Sequence, residues 1–164
     1  MGLNQNYYDT LNAVLMINVL VMFLVHIITL FIQGGKSTKA GTRTKEDDFM
    51  KRNIDKVTEI DKEIELRWKK IVSNTLETVP LGFVVFAIAT TVSSYSESRI
   101  GLIVVINVFV FMRMLYVIFF ANKLQPWRAI AWTTSILCIL VAAIIMVVDT
   151  FKTFHVLAND VDTA

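Results

Sequence analysis

The sequence predicts an all-α integral membrane protein, a bundle of four transmembrane helices that forms a single domain over residues 1–164. Composition is the first observation, because 55% of the residues are hydrophobic and only 18% are charged. In soluble domains, about a quarter of the residues are charged. The mean hydropathy of +0.58 agrees. The second observation is that charged residues are nearly absent from four stretches, which are 11–32, 71–92, 100–121 and 129–148.

Each stretch is long enough to cross the membrane, since a helix needs about 20 residues to span about 30 Å of hydrocarbon. The first and fourth stretches contain no charged residue, the second contains only Glu77 and the third only Arg113. Backbone amides in lipid must pair within the protein, which leaves helices or a closed barrel, and the alternating strands of a barrel are absent. The first stretch is expected to be a permanent span rather than a cleaved signal, because no Lys or Arg precedes it.

Basic residues are concentrated on one side of the predicted bundle. Residues 33–70 contain 11 of the 16 lysines and arginines, and Lys123 and Arg128 between the third and fourth spans bring that side to 13. The opposite side has only Arg99 and Lys152. By the positive-inside rule, the long loop faces the cytosol or the mitochondrial matrix. The sequence does not choose between the endoplasmic reticulum and the mitochondrion.

The long loop divides into two parts by composition. Residues 33–44 are rich in Gly, Ser, Thr and Lys, which predicts a flexible linker. From Lys45 onward, apolar residues recur at intervals of three and four, which predicts an amphipathic helix, either on the membrane surface or continuous with the second span. These positions are Met50, Ile54, Val57, Ile60 (or Asp61), Ile64 and Trp68. Opposite charges such as Glu63 and Arg67 are spaced i,i+4, which supports the helix.

Two charges lie inside the predicted membrane. Counted from the loop side at the helical rise, Glu77 lies about 10 Å deep and Arg113 about 12 Å deep. A charge exposed to lipid costs a few kcal/mol or more, so each of them needs a partner or a wet cavity. An ion pair that clamps two helices is one explanation, and a binding site is the other.

Several polar side chains converge on the leaflet that contains these two charges. They share one face of the second span at spacings of three and four, and one face of the third span at a spacing of three. The set is Arg67, Lys70, Asn74 and Glu77 on the second span, Arg113 and Tyr116 on the third, and Arg128 at the start of the fourth. An ion pair that only clamps two helices together does not need so many hydrogen-bond donors. The pattern therefore indicates a pocket for a small polyanion with an amine, whose carboxylates the cations bind and whose ammonium group Glu77 binds.

Three short motifs in this set resemble those of one family of membrane proteins. Residues 74–80, NTLETVP, match an Asn-x-x-Glu-x-x-Pro motif, and residues 113–116, RMLY, are similar to Arg-x-Leu-Tyr. Residues 124–128, LQPWR, are similar to a turn that ends in a catalytic Arg. With its four spans and long basic first loop, the chain resembles the MAPEG family, the membrane-associated proteins in eicosanoid and glutathione metabolism. It is most similar to the microsomal glutathione transferases of that family.

The resemblance implies a homotrimer of four-helix protomers with glutathione bound between neighbouring subunits near the cytosolic leaflet. It implies a transferase or peroxidase that acts on lipophilic electrophiles or lipid hydroperoxides, with glutathione as co-substrate and no metal. Arg128 would be the catalytic residue, because a nearby cation stabilises the glutathione thiolate. The residues implied to bind glutathione are Lys70, Asn74, Glu77, Arg113 and Tyr116.

Three positions depart from the family pattern. Phe120 stands where the family commonly has a Tyr, and Val72 stands where it often has a His. Lys70 stands where it usually has an Arg, so a bidentate contact with a carboxylate becomes a point-charge contact. The missing hydroxyl at Phe120 keeps an alternative open, a non-catalytic structural or lipid-binding subunit of a larger membrane complex.

The remaining candidates are assigned structural roles. His26 is expected to form a hydrogen bond between helices rather than to bind a ligand, and Cys138 to pack within the membrane. One cysteine and two histidines far apart in sequence make a poor metal site. A net charge of +2 excludes a nucleic-acid partner held by a positive field over the whole domain.

Overall fold

The computed structural model describes residues 3–43 and 57–162. Within these ranges the chain forms four helices, α1 (Leu3–Lys39), α2 (Glu59–Val92), α3 (Ser96–Ala121) and α4 (Trp127–Asp162). The shortest of them, α3, has 26 residues, which at about 1.5 Å per residue exceeds the thickness of the hydrocarbon core. All four are long and apolar enough to cross a membrane. The prediction of an all-helical integral membrane protein with four spans is confirmed.

Large apolar side chains cover the outside of the bundle. Examples are Phe31 on α1, Leu81 on α2, Phe111 on α3 and Phe151 on α4, all of which are exposed. A soluble monomer rarely exposes so much contiguous apolar surface. In a bilayer, the acyl chains of lipids contact this surface without the free-energy cost of exposing it to water, because they are as apolar as the side chains.

On the loop side, α1 is longer than the predicted span. It continues through residues 33–39, where the Thr38 hydroxyl donates to the Gly34 carbonyl at 3.0 Å. The chain then turns at Gly41, whose φ of 65° suits a residue without a Cβ. The prediction of a flexible linker is therefore wrong for residues 33–39. Extending an existing helix adds one backbone hydrogen bond per residue and avoids the free-energy cost of nucleating a new helix. A segment whose composition favours a flexible linker can therefore remain helical when it continues a long helix.

A capping box begins α2. The Asp61 N–H donates to the Thr58 hydroxyl at 3.2 Å, and the Thr58 N–H donates to the Asp61 carboxylate at 3.3 Å. The Thr58 hydroxyl also donates to that carboxylate, at 2.6 Å. These hydrogen bonds, with a smaller effect from the charges of Lys39 and Lys36, hold the pKa of Asp61 below its ordinary value of 3.8. The end of α1 and the start of α2 lie close together, since a Cβ at Gly41 would lie 3.5 Å from Val57 Cγ2.

From its cap, α2 continues unbroken to Val92. Residues 59–70 of the long loop are thus an extension of the second span, which decides between the two alternatives for this part. The i,i+4 pair forms as predicted, with Arg67 Nη2 2.6 Å from Glu63 Oε1. The predicted helical positions Met50 and Ile54 lie outside the described residues.

Three phenylalanines form the centre of the bundle. Phe83 and Phe86 on α2 and Phe109 on α3 make edge-to-face contacts, with ring centroids 5.1, 5.9 and 6.2 Å apart. Gly82 permits this approach, because a Cβ at that position would lie 2.8 Å from Phe109 Cζ. Arg113 follows Phe109 by about one helical turn. The packing of α2 against α3 therefore positions the polar residues of the predicted site.

A buried carboxylate closes the end of the bundle that lies away from the loop. Asp149 on α4 accepts hydrogen bonds from the hydroxyls of Ser93 at 2.9 Å and Ser98 at 2.8 Å. Arg99 donates to the Ser93 carbonyl at 3.0 Å, and its guanidinium lies over the ring of Tyr8. These contacts join all four helices at this end.

Candidate functional site

Arg113 is the central residue of the candidate site. Its side chain is only 1% exposed, on the inner face of α3. Nη1 donates to Asn74 Oδ1 on α2 at 3.0 Å. The guanidinium carbon lies 5.7 Å from the ring centroids of both Phe109 and Tyr116, so aromatic faces flank the charge. The predicted juxtaposition of Asn74, Arg113 and Tyr116 is present in the structure.

The other two nitrogens of Arg113 have no hydrogen-bond partner among the described residues. These atoms are Nε and Nη2, and both are buried. Together they form one edge of the planar guanidinium fork, the kind of edge that binds a carboxylate through two parallel hydrogen bonds. A buried donor without an acceptor is costly, and a charged one more so. This edge is therefore the part of the candidate site whose hydrogen-bonding capacity is unused among the described residues.

Glu77 does not pair with Arg113 in the structure. Its Oε1 accepts a hydrogen bond from the Ser73 hydroxyl at 2.9 Å, one helical turn away on α2. Arg113 donates to Asn74 instead. The ion pair that would clamp two helices is thus not formed between these two described residues. Glu77 is exposed, and its carboxylate retains acceptor capacity for another group.

Aromatic contacts connect Arg113 with Arg128 at the start of α4. The rings of Tyr116 and Phe120 lie 5.5 Å apart in an edge-to-face contact. The guanidinium carbon of Arg128 lies 4.4 Å from the centroid of the Phe120 ring, a close cation–π contact. The rings of Tyr116 and Phe120 therefore connect the guanidinium groups of Arg113 and Arg128.

Lys70 is the predicted residue with the least support from its surroundings. It is exposed on the same helix as Asn74 and Glu77, and it forms no hydrogen bond or ion pair with the other described residues of the site. On a single chain, its ammonium group extends toward solvent or headgroups. A role for Lys70 requires a ligand or a second subunit over this face of α2.

Two contacts of the site are not evident from the sequence. The Phe120 ring contacts one face of the Arg128 guanidinium. The sequence indicated only that this position lacks the hydroxyl that the family commonly has. Glu63 contacts both Arg67 and Lys123, and its Oε1 lies 3.4 Å from Lys123 Nζ, which connects the turn before α4 with α2. No sequence signal identifies Lys123 as a partner, because the two residues are distant along the chain.

A metal centre is not formed by the part of the chain that the structure describes. No group of three or more His, Cys, Asp or Glu side chains is close enough to hold an ion there. Cys138 is a free, buried cysteine on α4 and belongs to the hydrophobic core, as predicted. The polar chemistry of the candidate site therefore comes from arginine, amide, carboxylate and phenol groups.

Fold and site together define a four-span membrane protein with a buried arginine, two of whose three side-chain nitrogens have no hydrogen-bond partner among the described residues. The model of the MAPEG family matches residues 11–148, and the chain belongs to this family, the membrane-associated proteins in eicosanoid and glutathione metabolism. The match covers all four predicted spans. No match was found among the curated proteins or the solved structures that were compared with this chain.

Proposed function

We propose that this chain is a membrane-bound glutathione transferase or peroxidase, similar to the microsomal enzymes of its family. Its substrates would be lipophilic electrophiles or lipid hydroperoxides dissolved in the bilayer. The observation that carries the proposal is the Nε–Nη2 edge of Arg113, which has no partner among the described residues and whose two donors suit a carboxylate of glutathione. Family membership supports the same general chemistry.

The residues of the site have distinct roles in this proposal. Arg113 binds a glutathione carboxylate, and Asn74 holds the guanidinium in the required orientation by accepting from Nη1. Glu77 binds the ammonium group, for which its exposed carboxylate is suited. Lys70 supplies a point charge for the second carboxylate. The Tyr116 hydroxyl lies among these charges and donates a hydrogen bond to the ligand.

Arg128 is the proposed catalytic residue. Bound glutathione supplies a thiol, whose ionised form is the nucleophile. The cation of Arg128 favours the thiolate by Coulomb attraction, which is less screened at the membrane boundary than in water. The Phe120 ring fixes the guanidinium on one face and leaves its edge available for hydrogen bonds. A site at the start of α4 also gives access to solutes in the bilayer.

The exposed positions of Lys70 and Glu77 support a neighbouring subunit on this face of α2, as in the homotrimer that family resemblance implies. On an isolated chain both side chains lie on an open face of α2, where bound glutathione would remain in contact with solvent or lipid. A neighbouring subunit packed on this face would enclose the ligand and exclude water. We therefore propose that glutathione binds between subunits, in a membrane of the endoplasmic reticulum or the mitochondrion.

One observation favours a second candidate, a non-catalytic structural or lipid-binding subunit of a larger membrane complex. Phe120 gives the site no hydroxyl at a position where the family commonly has one. Binding without thiolate formation is the behaviour expected of such a subunit. Copurifying partner proteins would identify the complex.

Titration of the purified chain with glutathione in detergent tests the proposal. Wild type is expected to bind, and Arg113→Lys to lose about tenfold or more in affinity, because lysine cannot form the bidentate contact. Arg99→Lys, at the opposite end of the bundle, is the matched control and should bind within a few-fold of wild type. If folded wild type does not bind glutathione, the proposed function is wrong. If it binds without thiolate absorbance or turnover at neutral pH, the non-catalytic subunit replaces the enzyme.

A further inference from the structure

Ser73 on α2 uses its hydroxyl differently from most Ser and Thr side chains in the described helices. Inside a helix, such a side chain commonly donates to a backbone carbonyl three or four residues earlier. Thr75 donates in this way to the Ile71 carbonyl at 2.8 Å, and other residues of α2 and α4 follow the same pattern. The Ser73 hydroxyl donates forward instead, to Glu77 Oε1 at 2.9 Å. Its hydrogen bond is therefore directed at a charge of the candidate site.

This hydrogen bond sets the depth of the Glu77 carboxylate along α2. The helix starts on the loop side, and Ser73 precedes Glu77 by four residues, so Ser73 lies about 6 Å nearer the loop side at the helical rise. Side chains of a helix lean toward its N-terminus, which lets the carboxylate reach the level of Ser73. The negative charge is therefore held about one helical turn closer to the loop side than the Glu77 backbone.

The next residue of α2 holds the positive charge of Arg113 at the same level. Arg113 Nη1 donates to Asn74 Oδ1 at 3.0 Å, and Asn74 directly follows Ser73. Consecutive residues of an α-helix point about 100° apart around its axis, because a turn contains 3.6 residues. Ser73 and Asn74 therefore bind opposite charges at one depth but in two different directions.

An ion pair between Glu77 and Arg113 is the alternative that this arrangement avoids. Glu77 lies three residues after Asn74, a spacing that places the two side chains side by side on α2. Arg113 offers Nε and Nη2, two buried donors without a partner among the described residues, and such a pair of donors matches the two oxygens of a carboxylate. Opposite charges attract strongly where water is scarce. The hydrogen bond from Ser73, a donor to a charged group, opposes this attraction.

We propose that Ser73 is a positioning residue that keeps Glu77 apart from Arg113, so that a carboxylate and a guanidinium both remain available to one ligand. A ligand that matches them carries an ammonium group and a carboxylate, as the free end of an amino acid does. The inference deepens the proposed function and rests on it for the identity of this ligand, glutathione. The separation of the two charges in the ligand-free protein does not depend on that function.

Carbodiimide labelling of the ligand-free, full-length chain tests the separation of the charges. The probe is dicyclohexylcarbodiimide, a lipophilic reagent for carboxyl groups, and mass spectrometry of the peptide that contains Glu77 measures the labelling, with Glu77→Gln as the background. Ser73→Ala should fold, because alanine is the strongest helix former. It should lower the labelling of Glu77 several-fold, because the carboxylate then pairs with Arg113.

Two further variants make the labelling specific. Ser73→Thr retains the hydroxyl and should label like wild type. Thr91→Ala is the matched control, since it removes an exposed hydroxyl of the same helix that donates to the Ile88 carbonyl at 2.7 Å. It should also label like wild type. Unchanged or increased labelling of Glu77 in Ser73→Ala overturns the proposal, because the carboxylate would then have remained in place or been released without pairing.

Titration with glutathione and with N-acetylglutathione, whose ammonium group is replaced by a neutral amide, tests the consequence for binding. Wild type should prefer glutathione by about tenfold or more, the effect of a hydrogen bond between charged groups. Ser73→Ala should lose this preference and bind glutathione about tenfold more weakly, whereas Ser73→Thr and Thr91→Ala should retain both. A glutathione affinity of Ser73→Ala within about twofold of wild type overturns the proposal. Wild type that does not bind glutathione contradicts the proposed function, and the labelling of Ser73→Ala then still decides whether Ser73 separates the charges.

Discussion

Arg113 Nη1 and Asn74 Oδ1 lie 3.0 Å apart and connect α3 with α2 inside the membrane. An amide oxygen accepts a hydrogen bond from the guanidinium without neutralising it, so the positive charge of Arg113 remains available. The contact also fixes the plane of the fork, because Phe109 and Tyr116 flank the guanidinium. Asn74 therefore acts as a positioning residue, and two substitutions separate this role from that of a charge partner.

Asn74→Asp is expected to preserve stability and impair binding. The new carboxylate pairs with Arg113, so the temperature of unfolding should equal or exceed that of wild type, while glutathione affinity should fall by about tenfold or more through competition and repulsion. Asn74→Leu leaves another buried donor unpaired and should cost about 1–3 kcal/mol in the free energy of unfolding. Thermal unfolding and calorimetric titration measure both effects. Wild-type affinity in a folded Asn74→Asp protein would contradict the role of Arg113.

Arg128→Leu is expected to separate binding from chemistry. Glutathione affinity should remain within a few-fold, while the ultraviolet absorbance of the bound thiolate disappears. Turnover should fall by about tenfold or more, since one unit in the thiol pKa changes the thiolate fraction tenfold. Lys123→Leu removes a cation from the same turn and should retain the thiolate signal. An undiminished thiolate signal in Arg128→Leu would assign the activation to another group.

Substitutions of Phe120 test whether its ring holds Arg128. Phe120→Leu removes a cation–π contact of about 0.5–1 kcal/mol, so turnover should fall by a few-fold while the glutathione Kd stays unchanged. Phe120→Tyr retains the ring and adds a hydroxyl, so its turnover should match or exceed that of wild type. Steady-state kinetics with calorimetric binding distinguishes the two. Equal turnover of Phe120→Leu and wild type would argue against the positioning role.

The basic asymmetry predicts the topology in the membrane. In right-side-out microsomes, whose cytosolic face is outward, a cysteine placed at Thr38 on the loop side should react with a membrane-impermeant maleimide without permeabilisation. A cysteine placed at Glu97 should react only after permeabilisation. The native Cys138 is buried and gives the background. Protection of the cysteine at residue 38 in sealed vesicles would reverse the orientation.

The capping box predicts a pH dependence at the start of α2. Because the pKa of Asp61 is lowered from 3.8 in the folded chain, its contribution to stability is present above that value and is lost as the pH falls through the lowered pKa. Titration of the Asp61 carboxyl by NMR should therefore give a midpoint below 3.8. Thr58→Ala should raise the midpoint and destabilise this helix end by about 1 kcal/mol. Identical midpoints in the two proteins would exclude Thr58 as the cause.

Hydropathy and charge were sufficient to predict the four spans and the approach of Arg113 to Asn74, because membrane depth and helical periodicity fix which side chains share a level and a face. Hydropathy and charge did not predict the hydrogen-bond partner of Glu77 or the ring that contacts Arg128. Glu77 pairs locally with Ser73, and a preference between neighbouring acceptors depends on rotamers that spacing does not specify. At Phe120 the sequence indicates only a missing hydroxyl, although the ring makes the cation–π contact with Arg128. The apolar groove that His26 lines with Thr75 and Pro80, between α1 and α2, depends on the packing of two helices and has no signature in the sequence.

The close approach of Gly82 to Phe109 limits the substitutions that residue 82 tolerates. A single added methyl group would lie 2.8 Å from the ring of Phe109, and that ring is braced by Phe83 and Phe86, so it has little room to turn away. Gly82→Ala would instead separate α2 from α3. Such a separation would move Asn74 away from Arg113, two helical turns along. A substitution at residue 82 would thus alter the candidate site indirectly, through the Phe109 ring that flanks Arg113.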